Sequence, residues 1–145
     1  MASKRKVAKR GISAFLIVAL ALAVFLNFNV KTVVVSGHSM EPTFQSGRRL
    51  LVSKAFWLIG PIRDKDIVVV TDSNPDGYII KRVYKMGGET VDWRYVPRNW
   101  PLANGPYKVP PGKLFLIGDN LPVSEDSRAF GPVDMSQVLG KVIIL

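Results

Sequence analysis

A chain of 145 residues, 48% hydrophobic and carrying seven Phe, four Tyr and three Trp, has the material for one domain with a buried core, which a disordered chain lacks. Its formal charge of +9 does not mark a nucleic-acid binder: Lys4, Arg5, Lys6, Lys9, Arg10 and Lys31 all precede the first acid, Glu41, and the other 14 basic residues are interleaved with 11 acidic ones, leaving no basic stripe. Zero cysteines exclude disulfides, thiolate metal sites and a cysteine nucleophile, and a single histidine leaves zinc without its usual ligands, so no metal or cofactor is expected.

The first predicted element is the uncharged run GISAFLIVALALAVFLNFNV, residues 11–30, between Arg10 and Lys31. As a helix rising about 1.5 Å per residue it spans roughly 30 Å, which matches the hydrocarbon core of a bilayer. The basic cluster ahead of it predicts a cytoplasmic tail over residues 1–10 and an extracytoplasmic domain over 32–145. Ala21-Leu22-Ala23 also reads as a signal-peptide cleavage site, but Val24, Phe25 and Leu26 extend the apolar run past the about 7–15 residues of a cleavable segment. Length therefore favours an uncleaved single-span anchor in the cell membrane. A run apolar on every side also fits poorly in the core of a soluble domain.

Downstream the pattern becomes extended. TVVVS (32–36), RRLLVS (48–53), DIVVVT (66–71), YIIKRVYK (78–85), ETVDWRYV (89–96), KLFLIGD (113–119) and VLGKVIIL (138–145) are β-branched or aromatic runs separated by Gly, Pro, Asn and Asp. They predict a compact antiparallel all-β domain. Ser73-Asn74-Pro75-Asp76-Gly77 is a turn sequence that joins the third and fourth runs as a hairpin. Residues 96–112 are proline-rich and read as a long loop or flap. In KAFWLIGPIR (54–63), Phe56, Trp57, Leu58 and Ile59 sit between Lys54 and Arg63, the makeup of an interfacial surface; a short apolar run equally suits a core. Trp93, Tyr95 and Trp100, with Arg94 and Arg98, invite the same interfacial reading less strongly because they overlap a strand pattern.

The stretch SGHSMEPTF (36–44) sets the lone histidine, His38, beside Ser39. Neighbours on an extended chain point to opposite faces, so His38 is directed away from the Ser39 hydroxyl and is a poor base for it. An activated Ser39 needs another base, and lysine serves that role in Ser-Lys pairs. Such a lysine must be desolvated, since its ordinary pKa of about 10.4 leaves it protonated at neutral pH. In YIIKRVYK, period-two alternation puts Lys81 on the face of Ile79 and Val83, an apolar setting that lowers a lysine pKa. Lys54, Lys65 and Lys85 have weaker apolar flanks. On the pattern alone, an amphipathic lysine snorkelling from a half-buried strand remains the plainer alternative.

SGHSMEPTF, YIIKRVYKMGGE and GDNLPVSEDSRAFGPV (118–133), in that order after one amino-terminal span, resemble the type I signal peptidases, membrane-anchored Ser-Lys endoproteases that remove signal peptides from exported preproteins. The resemblance covers most of residues 32–145 and is similar to the compact single-span enzymes of Gram-positive bacteria. It implies Ser39 as nucleophile, Lys81 as general base, Met40 as part of the substrate cleft, Ser124 as the hydroxyl that orients the lysine amine, and Asp126 and Arg128 as a supporting ion pair. GDN and SEDSR are also ordinary turn sequences. Two positions depart from the family pattern. Gly37 stands where some relatives have an oxyanion-binding serine, and MGGET (86–90), with Glu89, replaces a G-x-P-G-D turn.

The implied partners are signal peptides of secreted preproteins and membrane lipid, with no nucleic acid. Two rivals use the same residues differently: a soluble self-cleaving repressor-type protease, disfavoured by the span, and an inactive membrane-anchored β module that binds envelope proteins.

Overall fold

The computed structural model describes residues 2–72 and 77–143. The chain opens on one continuous helix of 28 residues, α1 (Ala2–Asn29). Its stretch Ile12–Asn29 is long and apolar enough to cross a membrane, and none of it is buried against the rest of the protein. Such a surface costs about 25 cal/mol per Å² in water, a cost that lipid removes. The helix is longer than the predicted span, because the segment 2–10 continues it.

Asn29 ends the helix and starts the domain. Its side-chain amide donates to the Phe25 carbonyl at 2.9 Å, while its own carbonyl accepts the Lys54 N–H at 2.7 Å. Strand β1 (Val30–Val34) follows with no linker, two residues ahead of the extended run read from sequence. Then come β2 (Arg49–Ser53), the short helix α2 (Phe56–Ile59), β3 (Ile67–Thr71), β4 (Tyr78–Met86), β5 (Lys113–Ile117), the short helix α3 (Ser127–Phe130), β6 (Val133–Asp134) and β7 (Val138–Ile143). The strands form one sheet in the order β1-β2-β7-β3-β4-β5-β6. Every neighbouring pair is antiparallel, as the all-β expectation required. Register breaks at Val69/Val70 against β7 and at Val83/Lys85 against β5 bend the sheet as bulges do.

Both faces of the sheet are covered, so β3 is apolar along its length. Ile67 and Val69 pack with Val35, Met40, Phe44 and Ile80 on one face, and Val68 and Val70 with Ile62, Val83, Leu114 and Leu116 on the other. A side chain of this size stabilises by roughly 1.5–3 kcal/mol when fully buried. The hairpin between β3 and β4 forms in the expected pairing, Ile67 to Arg82 and Thr71 to Tyr78. Residues 73–76 of its predicted turn lie outside the described residues, as do 144–145 of the last predicted strand.

The expected strand at 89–96 does not form. Only Thr90 pairs, in an isolated bridge with Lys108. Asp92 turns the chain instead: its carboxylate accepts the Arg94 N–H at 3.0 Å and its carbonyl the Tyr95 N–H at 2.8 Å, a local alternative that Asp offers against strand pairing. Tyr95 then meets Tyr84 edge-on at 5.3 Å, and Trp100 meets Tyr107 at 5.0 Å. Tyr95 and Trp100 thereby belong to a satellite core over Phe115 and Ile117, and of the three expected interfacial aromatics only Trp93 is exposed. The proline-rich segment is tied down by the same core, with Tyr107 and Val109 buried. The seventh strand is β6, too short to show a period of two in the sequence.

Candidate active site

Four segments converge on Ser39. The loop 35–48 is closed at its base by two backbone bonds, Val35 N–H to the Arg48 carbonyl and Gly47 N–H to the Val35 carbonyl, each 2.8 Å. Met40 and Phe44 are buried in the core beneath it. These anchors leave Ser39 at the surface of the sheet. After β5, Asn120 clamps the loop from the other side: its N–H donates to the Ser39 carbonyl at 2.9 Å and its side-chain amide to the His38 carbonyl at 3.1 Å.

Lys81 reaches this loop from β4. Its Nζ lies 2.7 Å from Ser39 Oγ, and the residue is only 4% exposed. Ile79 and Val83, on the same face, pack into the cluster that holds Val68. Burial drives the Lys81 pKa below its ordinary value, against opposing attraction from Asp126, Asp72 and Glu125. His38 points elsewhere. Its ring bonds Glu41 at 2.8 Å and its side chain is 69% exposed. Gly37, at φ +81°, has no atom within 4 Å of where a Cβ would stand.

Asp126 is fully buried, and Arg128 grips both its carboxylate oxygens, Nε to Oδ1 at 2.8 Å and Nη2 to Oδ2 at 2.9 Å. The same carboxylate caps α3 through the Arg128 N–H and accepts the Gly118 N–H at 3.1 Å. Burial opposes its ionisation, but the Arg128 and Gly118 bonds outweigh that and hold its pKa below the usual carboxylate range. Arg128 also donates to the Leu121 and Ser124 carbonyls, so one ion pair fixes the whole return from β5 to α3. The Ser124 hydroxyl is buried beside the Asp126 carboxylate and helps to lower its pKa, but among the described residues it makes no hydrogen bond of ordinary geometry, to Asp126 or to Lys81.

Two features were not read from the sequence. Gly118 is required by close approach: a Cβ there would strike Ser124 Oγ and lie 2.6 Å from the Ser39 carbonyl oxygen. Asp119 takes a two-pronged bond from Arg82, at 2.7 and 2.6 Å, and also accepts the Thr43 hydroxyl. Arg82 thus braces the serine loop from the strand face opposite Lys81. An isolated Gly at a strand end was the available signal for the first; the Arg82–Asp119 pairing spans 37 residues and leaves no local signal.

A cleft of about 740 Å³ runs past Ser39 and Lys81, lined also by Ile79, Asp72, Glu125 and Phe130. A smaller pocket of about 100 Å³ opens beside it between Val35, Met40, Ile80 and Ser39. Among the described residues no group of three or more His, Cys, Asp or Glu is arranged to hold a metal ion. The site offers a hydroxyl, a buried amine and a cleft that can receive an extended chain.

The chain matches the family model described as signal peptidase, peptidase S26, over residues 8–99 and 94–145. It is 36% identical to signal peptidase I of Bacillus caldolyticus, over 90% of this chain and 84% of that protein. It is 32% identical to signal peptidase I V of Bacillus subtilis, over 90% and 91%. A solved signal peptidase I from Enterococcus faecalis aligns with a TM-score of 0.46 at 24% identity, over 58% of this chain and 98% of that one. Matched along nearly its whole length, the chain belongs to the peptidase S26 family of signal peptidases.

Proposed function

We propose that this chain is a membrane-anchored serine endopeptidase that removes signal peptides from exported preproteins through a Ser39–Lys81 pair. The observation that carries it is the 2.7 Å approach of a buried lysine amine to a serine hydroxyl. The domains follow the same reading: a cytoplasmic tail at 1–10, a single anchor at 11–30 whose side chains contact lipid, and an extracytoplasmic catalytic domain at 32–145.

The substrate lies extended along β4. Strand β5 pairs with β4 only from Arg82 onward, so the segment before it keeps an edge free to add a peptide strand. The 100 Å³ pocket that Met40 helps to shape suits a small side chain just before the cut, and a second small residue two places earlier fits the narrow edge.

Neutral Lys81 takes the hydroxyl proton as Ser39 Oγ bonds to the scissile carbonyl carbon. The new ammonium passes that proton to the leaving amine as the C–N bond breaks, leaving an acyl-enzyme. Lys81 then takes a proton from water, hydroxide adds to the ester, and Ser39 regains its proton as the signal peptide leaves. The Ser39 N–H is one donor to the oxyanion. The resemblance gives Ser124 the part of orienting the amine, though its hydroxyl makes no bond to Lys81 in this structure, and the Asp126–Arg128 pair holds the segment that carries it.

Purified full-length protein in detergent, incubated with a model preprotein, is expected to release one new amino terminus. Ser39→Ala and Lys81→Met each abolish the release, while His38→Ala largely preserves it. Full activity in Lys81→Met would remove the proposed base, and no cleavage by the unaltered chain would favour the inactive module.

A further inference from the structure

The two faces of β4 divide the substrate groove. Ile80 packs with Val35 and Met40 on one face, where the pocket of about 100 Å³ opens. Ile79 lies on the other face with Val70 and Val133, and there, beside the Lys81 amine, the cleft of about 740 Å³ extends. A peptide added to the free edge of β4 presents successive side chains to alternate faces. With the last residue before the cut in the small pocket, its neighbour, the second residue before the cut, is directed into the large cleft.

That cleft has an apolar floor and an acidic rim. Val70 and Val133 are buried beneath it, and Phe130 lies partly open on its wall. Asp72 stands one residue past the end of β3, where its N–H donates to the Gly77 carbonyl at 3.1 Å. Glu125 stands in the return from β5 to α3, exposed between the buried Ser124 and Asp126. Both carboxylates line the cleft, and both attract the Lys81 ammonium. Among the described residues neither is in an ion pair. The other ionisable groups lining the cleft are Lys81, which is buried, and His38, whose ring is bonded to Glu41. An entering side chain therefore meets negative charge above a surface suited to methylene groups.

We infer that Asp72 and Glu125 are specificity-determining residues that select a lysine or arginine at the second residue before the cut. Resting on the cleavage function proposed above, this adds the side chain that its cleft favours. The long stem lies on Val70, Val133 and Phe130, as such stems do on apolar surface, and the cationic head bonds the carboxylates at the rim. An acidic side chain in the same place meets two like charges. Selection by charge is thus separate from selection by small size, which belongs to the opposite face of β4.

Full-length protein in detergent at low salt is given three preproteins mixed in one reaction, identical except for Lys, Met or Glu at the second residue before the cut. Competition gives the ratios of kcat/KM directly. The Lys form is expected to be cut roughly two- to fivefold faster than the Met form, and the Met form faster than the Glu form by a similar factor, the range of exposed charge pairs. In about 1 M salt, where the Debye length is about 3 Å, both ratios should approach one. Asp72→Asn/Glu125→Gln should bring them there at low salt. Equal cleavage of the three forms by the unaltered protein at low salt overturns the inference and leaves the function standing, as does a charge preference that the double variant keeps. If none of the three is cut, the proposed function falls and the inference with it.

Discussion

Lys81 on β4 stands directly across the ladder from Val68 on β3, whose side chain is wholly buried. The amine thus emerges from an apolar face instead of from water, and desolvation penalises its charged form. Cleavage, followed as the second-order rate constant, should rise with pH through an ionisation well below the ordinary lysine value of about 10.4. A limb at the ordinary value would count against Lys81 as the base.

The same burial bears on stability. With its folded pKa depressed, Lys81 binds fewer protons in the folded state than in the unfolded chain between the two pKa values. Stability is therefore lost as pH falls from the unfolded value to the folded one, and the loss persists below it. Lys81→Met removes this penalty. Its thermal midpoint at neutral pH should exceed that of the unaltered protein while cleavage is absent, as calorimetry beside an activity assay would show.

Glu125 and Asp72 line the cleft and favour the Lys81 ammonium. Glu125→Gln withdraws part of that support, so the Lys81 ionisation should move further down and activity should extend to lower pH. A pH–rate profile that moves upward would contradict this.

Gly118 tolerates no side chain. A Cβ would strike Ser124 Oγ and the Ser39 carbonyl, and the latter is backbone held by Asn120. Gly118→Ala should lose about 1–3 kcal/mol in urea denaturation, as overpacking does. Displacing the nucleophile by about 1 Å should also lower kcat/KM by roughly 10²-fold.

Asp126→Ala leaves the half-buried Arg128 guanidinium without its carboxylate and the Gly118 N–H without its acceptor, and should cost about 1–3 kcal/mol. The intact carboxylate, with its pKa lowered, contributes stability above the unfolded carboxylate value and loses it as pH falls through the folded one. The acid limb of a stability–pH curve should accordingly be shallower in Asp126→Ala.

Much of the architecture was legible because it is local. A run of 20 uncharged residues between basic flanks announces a span-length helix, and alternation in YIIKRVYK correctly put Lys81 with Ile79 and Val83. The strand expected at 89–96 failed because a side-chain turn at Asp92 outcompetes an alternation that no partner strand rewards. By its own pattern the sequence determined which face each strand residue takes and which segment suits lipid. Only the tertiary structure decided which of those faces meet: Ser39 with Lys81 across 42 residues, Arg82 with Asp119 across 37, and α2 beside the end of the span. Periodicity is written in neighbouring residues, whereas such meetings depend on sheet order and loop closure, which leave no local pattern to read.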